Sequence, residues 1–206
     1  MLTSCGKMQS EFLTYLQLGI GHIIDIEAYD HILFVIVLCS KYIIREYKKI
    51  LVLVTAFTLG HSLTLALAAL KIIALPSGLI EFLIPVTILI TAIYNIVTAG
   101  KTEKNDWKQK SMQLNYFLAL FFGLIHGMGF SNFFRSLLGI DQSIVKPLFS
   151  FNLGIELGQI AIVLGLIILS ALFIGALRIK RKSWTFFWSI LAAVVALFLM
   201  YETKFW

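Results

Sequence analysis

Apolar residues run along this chain in long blocks that stop at charges or at Pro and Gly, and the blocks are of bilayer length. A helix crosses the hydrocarbon with about 20 consecutive apolar residues. The breaks predict six crossings, at about 28–45, 49–72, 77–98, 114–134, 147–177 and 184–203. Ahead of them, between Glu11 and Ile24, Phe12, Leu13, Leu16, Ile20 and Ile23 share one face at helical spacing, with Leu18 off it. That stretch is too short to cross comfortably and predicts an interfacial or re-entrant helix leading into the first span. The strict polar/apolar alternation of a membrane β-barrel is missing. The expected fold is all-α, a single integral membrane domain over 1–206: a polytopic bundle of six transmembrane helices plus a short N-terminal helix.

Composition agrees. Hydrophobic residues make up 59% and charged residues 14% of the chain, against roughly 45–50% and about 25% in a soluble domain, which leaves too few charges to cover a water-facing surface. The net charge of +6 raises the question of nucleic acid, but no basic cluster is interleaved with exposed aromatics, and no nucleic-acid partner is expected. Topology accounts for the excess instead. Of the 17 Lys and Arg, twelve fall between spans one and two (Lys41, Arg45, Lys48, Lys49), three and four (Lys101, Lys104, Lys108, Lys110) and five and six (Arg178, Lys180, Arg181, Lys182). These loops are expected in the cytoplasm, with both termini outside. Cys5 and Cys39 make no disulfide framework and read as free thiols.

Candidate chemistry comes from the few ionisable groups inside the apolar blocks, each of which costs several kcal/mol there unless paired or hydrated. Asp30 and His31 open span one, His61 and Ser62 lie within span two, Glu81 begins span three, His126 is in span four, and Asn152, Glu156 and Gln159 are in span five. His22 precedes span one. All four histidines are therefore in or beside the membrane. His61 and His126 come roughly 12 residues after the cytoplasmic starts of their spans, about 18 Å at 1.5 Å per residue, which puts them in the outer half with Asp30, His31, Glu81 and Glu156. One polar site at one depth follows.

Imidazole with carboxylate suits Zn²⁺, Ni²⁺ or Fe²⁺. The expected ligands are His31, His61 and His126 with Glu156, while Asp30 more naturally orients an imidazole, since adjacent helical residues diverge by about 100°. His22 and Asp25 would gather cations at the approach, and Ser62, Glu81, Asn152 and Gln159 would support the site. The same residues also fit interhelical hydrogen bonding without metal. Gly123, Gly127 and Gly129, and Gly154 with Gly158, read as close-packing faces.

Taken in order, Gly21-His22-Ile23 with Tyr29-Asp30-His31-Ile32-Leu33-Phe34, Thr58-Leu59-Gly60-His61-Ser62-Leu63-Thr64, Glu81-Phe82-Leu83-Ile84-Pro85, Gly123-Leu124-Ile125-His126-Gly127-Met128-Gly129 and Asn152-Leu153-Gly154-Ile155-Glu156-Leu157-Gly158-Gln159 resemble the HupE/UreJ family of bacterial membrane proteins. The resemblance implies a permease-like protein of the bacterial cytoplasmic membrane with six or seven helices. It also implies nickel supply to a hydrogenase or urease maturation system, and His and Asp residues near the first span that matter for metal passage. The spacing of His22 from Asp30-His31 is longer here than in the family's better-known members.

Three functions compete. A divalent-metal permease, for nickel or zinc, would gather the ion at the outer face and replace its water shell with imidazoles. An intramembrane zinc hydrolase would use three histidines on the metal, Glu156 or Asp30 as general base and Ser62 or Asn152 at an oxyanion. An accessory subunit would use the polar cluster for helix packing alone. Partners beyond the bilayer and the metal ion are not indicated by the residues themselves.

Overall fold

The computed structural model describes the backbone of residues 2–73, 75–99, 105–137 and 144–205, with side chains from residue 11 onward except 105–111 and 132. Among these residues every regular element is helical: α1 (Leu2–Ile24), α2 (Asp30–Cys39), α3 (Tyr47–Ala69, opened by a 3₁₀ turn, Ile44–Glu46), α4 (Ser77–Thr98), α5 (Asn105–Gly129), α6 (Ser131–Leu137), α7 (Val145–Ser170, continued by a π turn, Ala171–Ala176) and α8 (Arg181–Glu202).

Four helical stretches are long and apolar enough to cross a membrane: Ile44–Ala69, Ser77–Thr98, Val145–Ala176 and Arg181–Glu202. They correspond to four of the six expected spans. The other two differ. In place of the crossing at 28–45 stands α2, 10 residues long and hence about 15 Å, too short to cross alone. It stops because Ser40 turns its hydroxyl onto the Val37 carbonyl at 3.0 Å, and Asn95 of α4 donates to that same carbonyl at 2.7 Å. The expected short N-terminal helix is 23 residues long, and the segment 25–29 separates it from α2. The block at 114–134 is likewise divided, α5 ending at Gly129 and α6 beginning at Ser131.

Two close helix crossings organise the bundle. Gly60 of α3 faces Leu120, Gly123 and Leu124 of α5, while Gly127 of α5 faces His61 and Thr64. Higher numbers face higher numbers, so α3 and α5 run parallel. Gly19 of α1 lies against Phe151 and Ile155 of α7, and Gly154 against Leu16 and Ile20, which makes α1 and α7 parallel too. A Cβ at Gly19, Gly60, Gly123, Gly127 or Gly154 would fall inside 3.0 Å of a facing backbone oxygen. The Gly-x-x-x-Gly spacing of Gly123/Gly127 and Gly154/Gly158 thus lets backbones touch where no hydrophobic effect between helices is available in lipid.

The end carrying the first and third basic segments is tied by side chains. The Arg181 guanidinium donates to the Lys41 carbonyl and pairs with Glu46 at 2.5 Å, and Lys49 pairs with Glu46 at 2.7 Å. Segments 41–49 and 178–182 therefore share one end of the bundle. α3 stops at its other end with Lys71 in the left-handed region (φ 61); its N–H bonds to Ala68 at 3.0 Å and that of Ile72 to Leu67 at 2.9 Å, closing the last carbonyls of the helix. Cys39 is a buried free thiol.

Candidate metal centre

The break between α1 and α2 lies beside the two Gly crossings, and it brings the histidines together. His22 sits in the last turn of α1, three residues after Gly19; His31 is the second residue of α2; His61 follows Gly60; His126 lies between Gly123 and Gly127. One nitrogen each from His22, His31 and His61 lie within 4.8 Å of one another. Four tetrahedral nitrogens at 2.0–2.1 Å from an ion stand about 3.3 Å apart, so an ion would draw these rings inward by around an ångström. His126 flanks the group, its ring centroid 5.2 Å from that of His31.

Hydrogen bonds on the far side of two rings decide what they present to the centre. Asp30 Oδ1 accepts from the His31 backbone N–H at 2.9 Å and faces His31 Nδ1 at 3.0 Å. A carboxylate only accepts, so Nδ1 carries the proton and Nε2 keeps its lone pair. The Phe122 carbonyl does the same for His126 Nδ1 at 2.9 Å. Five imidazole nitrogens, Nε2 of His22, His31 and His126 and both of His61, are buried with no hydrogen-bond partner among the described residues. An unsatisfied buried polar atom costs about 1–3 kcal/mol, so five such atoms on four neighbouring helices call for a partner. Their common chemistry is that of soft-to-borderline metal ligands.

Aromatic rings wall the group on two sides. Phe130 stands 3.9 Å from His22 by ring centroids and stacks on Phe151 at 5.0 Å. On the opposite side Phe34, Phe57 and Phe122 are fully buried and mutually packed, Phe34 lying 5.0 Å from Phe57 and 5.9 Å from Phe122.

Residues 2–205 match the family model described as HupE / UreJ protein. The chain belongs to the HupE/UreJ family. No curated protein and no solved structure matches it.

In this HupE/UreJ protein the residues singled out from sequence fall into three places. His22, expected at the approach, stands within the group alongside His31 and His61, and an open pocket of about 470 Å³ lined by Gln17, His22, Asp25 and Phe130 reaches it. A second pocket, about 200 Å³, is lined by Glu27, Asp30, Glu81 and Pro85. Pro85 removes the N–H that would have bonded the Glu81 carbonyl inside α4. The third place is the contact of α3 with α7: Thr55 donates to Glu156 at 2.7 Å and Thr58 to Gln159 at 2.8 Å. Glu156 is thus outside the three-histidine group. Ser62 spends its hydroxyl on the Thr58 carbonyl at 2.6 Å, and Asn152 Oδ1 is buried without a partner among the described residues. Thr55 and Thr58 were not among the sequence candidates; their i, i+3 spacing on one face of α3 was the available signal.

Proposed function

We propose that this HupE/UreJ protein is a permease for a divalent transition-metal ion, nickel-like in its ligand preference, which passes through the bilayer by way of His22, His31 and His61. The convergence of buried, unpartnered imidazole nitrogens carries this reading. α1 and α2 together make one broken crossing, giving six crossings with α3, α4, α5, α7 and α8, and the site lies at the break, an arrangement that recurs where transporters bind ions near the bilayer middle. With the basic loops on the cytoplasmic side of a bacterial inner membrane, the two pockets open outward. Asp25 on one and Glu27, Asp30 and Glu81 on the other attract the hydrated cation. Asp30 then supplies negative charge through His31, and His126 stands beside the group as a further imidazole.

Three ligands spread within 4.8 Å hold an ion less tightly than a closed site, and transport requires binding weak enough to release. The hydrolase alternative loses two of its candidates, since the Ser62 hydroxyl is engaged with backbone and Glu156 is paired with Thr55, and rests on Asp30 and Asn152. A metalloenzyme maturation system is the natural recipient of the delivered ion.

The test is metal content by mass spectrometry after purification without added metal, beside uptake of radioactive Ni²⁺ into proteoliposomes. Exchangeable metal, and uptake lost in His22→Ala and His61→Ala of unchanged folding, is the expected result. A stoichiometric ion that survives chelator washing would transfer the site to the hydrolase reading. Absence of metal under every loading condition would leave the histidines as packing residues and end the permease reading.

A further inference from the structure

A cation released by the histidines cannot continue straight along the bundle, because Phe34, Phe57 and Phe122 close that line with buried aromatic surface. The polar side chains beyond the histidines lie to one side, where α3 meets α7. We propose that this contact is a second cation station, built of oxygen donors from Thr55, Thr58, Glu156 and Gln159, which receives the ion from the histidine group. The proposal rests on the permease reading and adds to it a site of different ligand chemistry.

Glu156 and Gln159 lie within Val145–Ala176, at 32 residues the longest of the four spanning stretches. A carboxylate there is expensive and points to function. Asn152, Glu156 and Gln159 recur at i, i+4 and i+7, one stripe of α7; Thr55, Thr58 and Ser62 recur at i, i+3 and i+7, one stripe of α3. Two hydrogen bonds, Thr55 to Glu156 at 2.7 Å and Thr58 to Gln159 at 2.8 Å, lock the stripes face to face. Along α3, Thr58 is about 4.5 Å and Thr55 about 9 Å from His61 at 1.5 Å per residue, the distance of a single transfer. Asn152, whose buried Oδ1 has no partner among the described residues, extends the α7 stripe beyond Glu156 next to Phe151, whose ring lies 6.5 Å from that of His61.

The donor set fixes the ion's fate. One carboxylate, two hydroxyls and an amide carbonyl hold Ni²⁺ or Zn²⁺ more weakly than imidazoles do, so an ion moving from nitrogen to oxygen ligands meets progressively weaker binding on its way out, as release demands. Glu156 neutralises part of the charge that the three neutral imidazoles leave uncompensated.

The experiment is equilibrium dialysis of the full chain in lipid nanodiscs against Ni²⁺ alone. The wild type is expected to bind two ions per chain, both exchangeable, the first at least tenfold tighter than the second. Glu156→Gln should keep the tight ion and lose the weak one, and His61→Ala should do the reverse. Should Glu156→Gln fail to fold, Glu156→Asp keeps the charge with a shorter reach and should shift the weak step alone. A wild type that saturates with one tight ion, or a weak step untouched by both Glu156 variants, overturns the station and leaves the histidine reading standing. A wild type that binds nothing removes both.

Discussion

Replacing Asp30 with Asn isolates the orienting role of a single carboxylate. Asp30 Oδ1 faces the backbone N–H of His31 at 2.9 Å and its Nδ1 at 3.0 Å, and because a carboxylate only accepts, it holds the ring in the tautomer whose Nε2 keeps its lone pair. An asparagine can offer either its oxygen or its NH₂, so both tautomers become accessible, and the negative charge beside the His31 imidazole is gone. Loss of such a partner weakens metal binding about 10–100-fold, or about 1.4–2.8 kcal/mol at ~1.4 kcal/mol per decade. Folding should suffer little, because the Asp30 side chain is 22% exposed and the first-turn charge of a helix is worth about 0.3–1 kcal/mol. Competition of the purified protein with a chromogenic chelator for Ni²⁺ measures the change, with thermal unfolding as the control. An affinity within twofold of wild type at unchanged stability would refute the reasoning, since the carboxylate would then neither set the tautomer nor supply charge.

Gly60→Ala and Gly123→Ala each place a methyl inside 3.0 Å of facing backbone. Each should destabilise by about 1–3 kcal/mol in detergent unfolding and weaken Ni²⁺ binding, whereas Gly165→Ala, where a Cβ meets nothing within 4 Å, should do neither. The double variant Gly60→Ala/Gly123→Ala should cost less than the two singles together, because both force open one contact. Arg181→Gln breaks an ion pair whose arginine is 46% exposed, and unfolding should register less than about 1 kcal/mol.

Apolar block length predicted α3, α4, α7 and α8 as crossings, because in lipid a segment must satisfy its own backbone and so its length alone declares it. The same logic marked the histidines and the Gly faces: a polar or small residue inside such a block has few reasons to be there. What sequence could not decide was where a helix stops within an apolar run. Ser40 and Asn95 end α2 after 10 residues, short of the expected 45, whereas the break after Ile24 was legible and stands at 25–29. That break carries His22 beside His31, although nine positions separate them in the chain. Rotation about helix axes was equally hidden. Glu156 shares the expected depth of the histidines, yet the crossing of α1 with α7 turns it toward Thr55 on α3, because the face a side chain takes is set by the neighbouring backbone it must clear. Local composition names the residues that enter the membrane; only the packed helices, brought to backbone contact by Gly19, Gly60, Gly123 and Gly154, determine which of them meet.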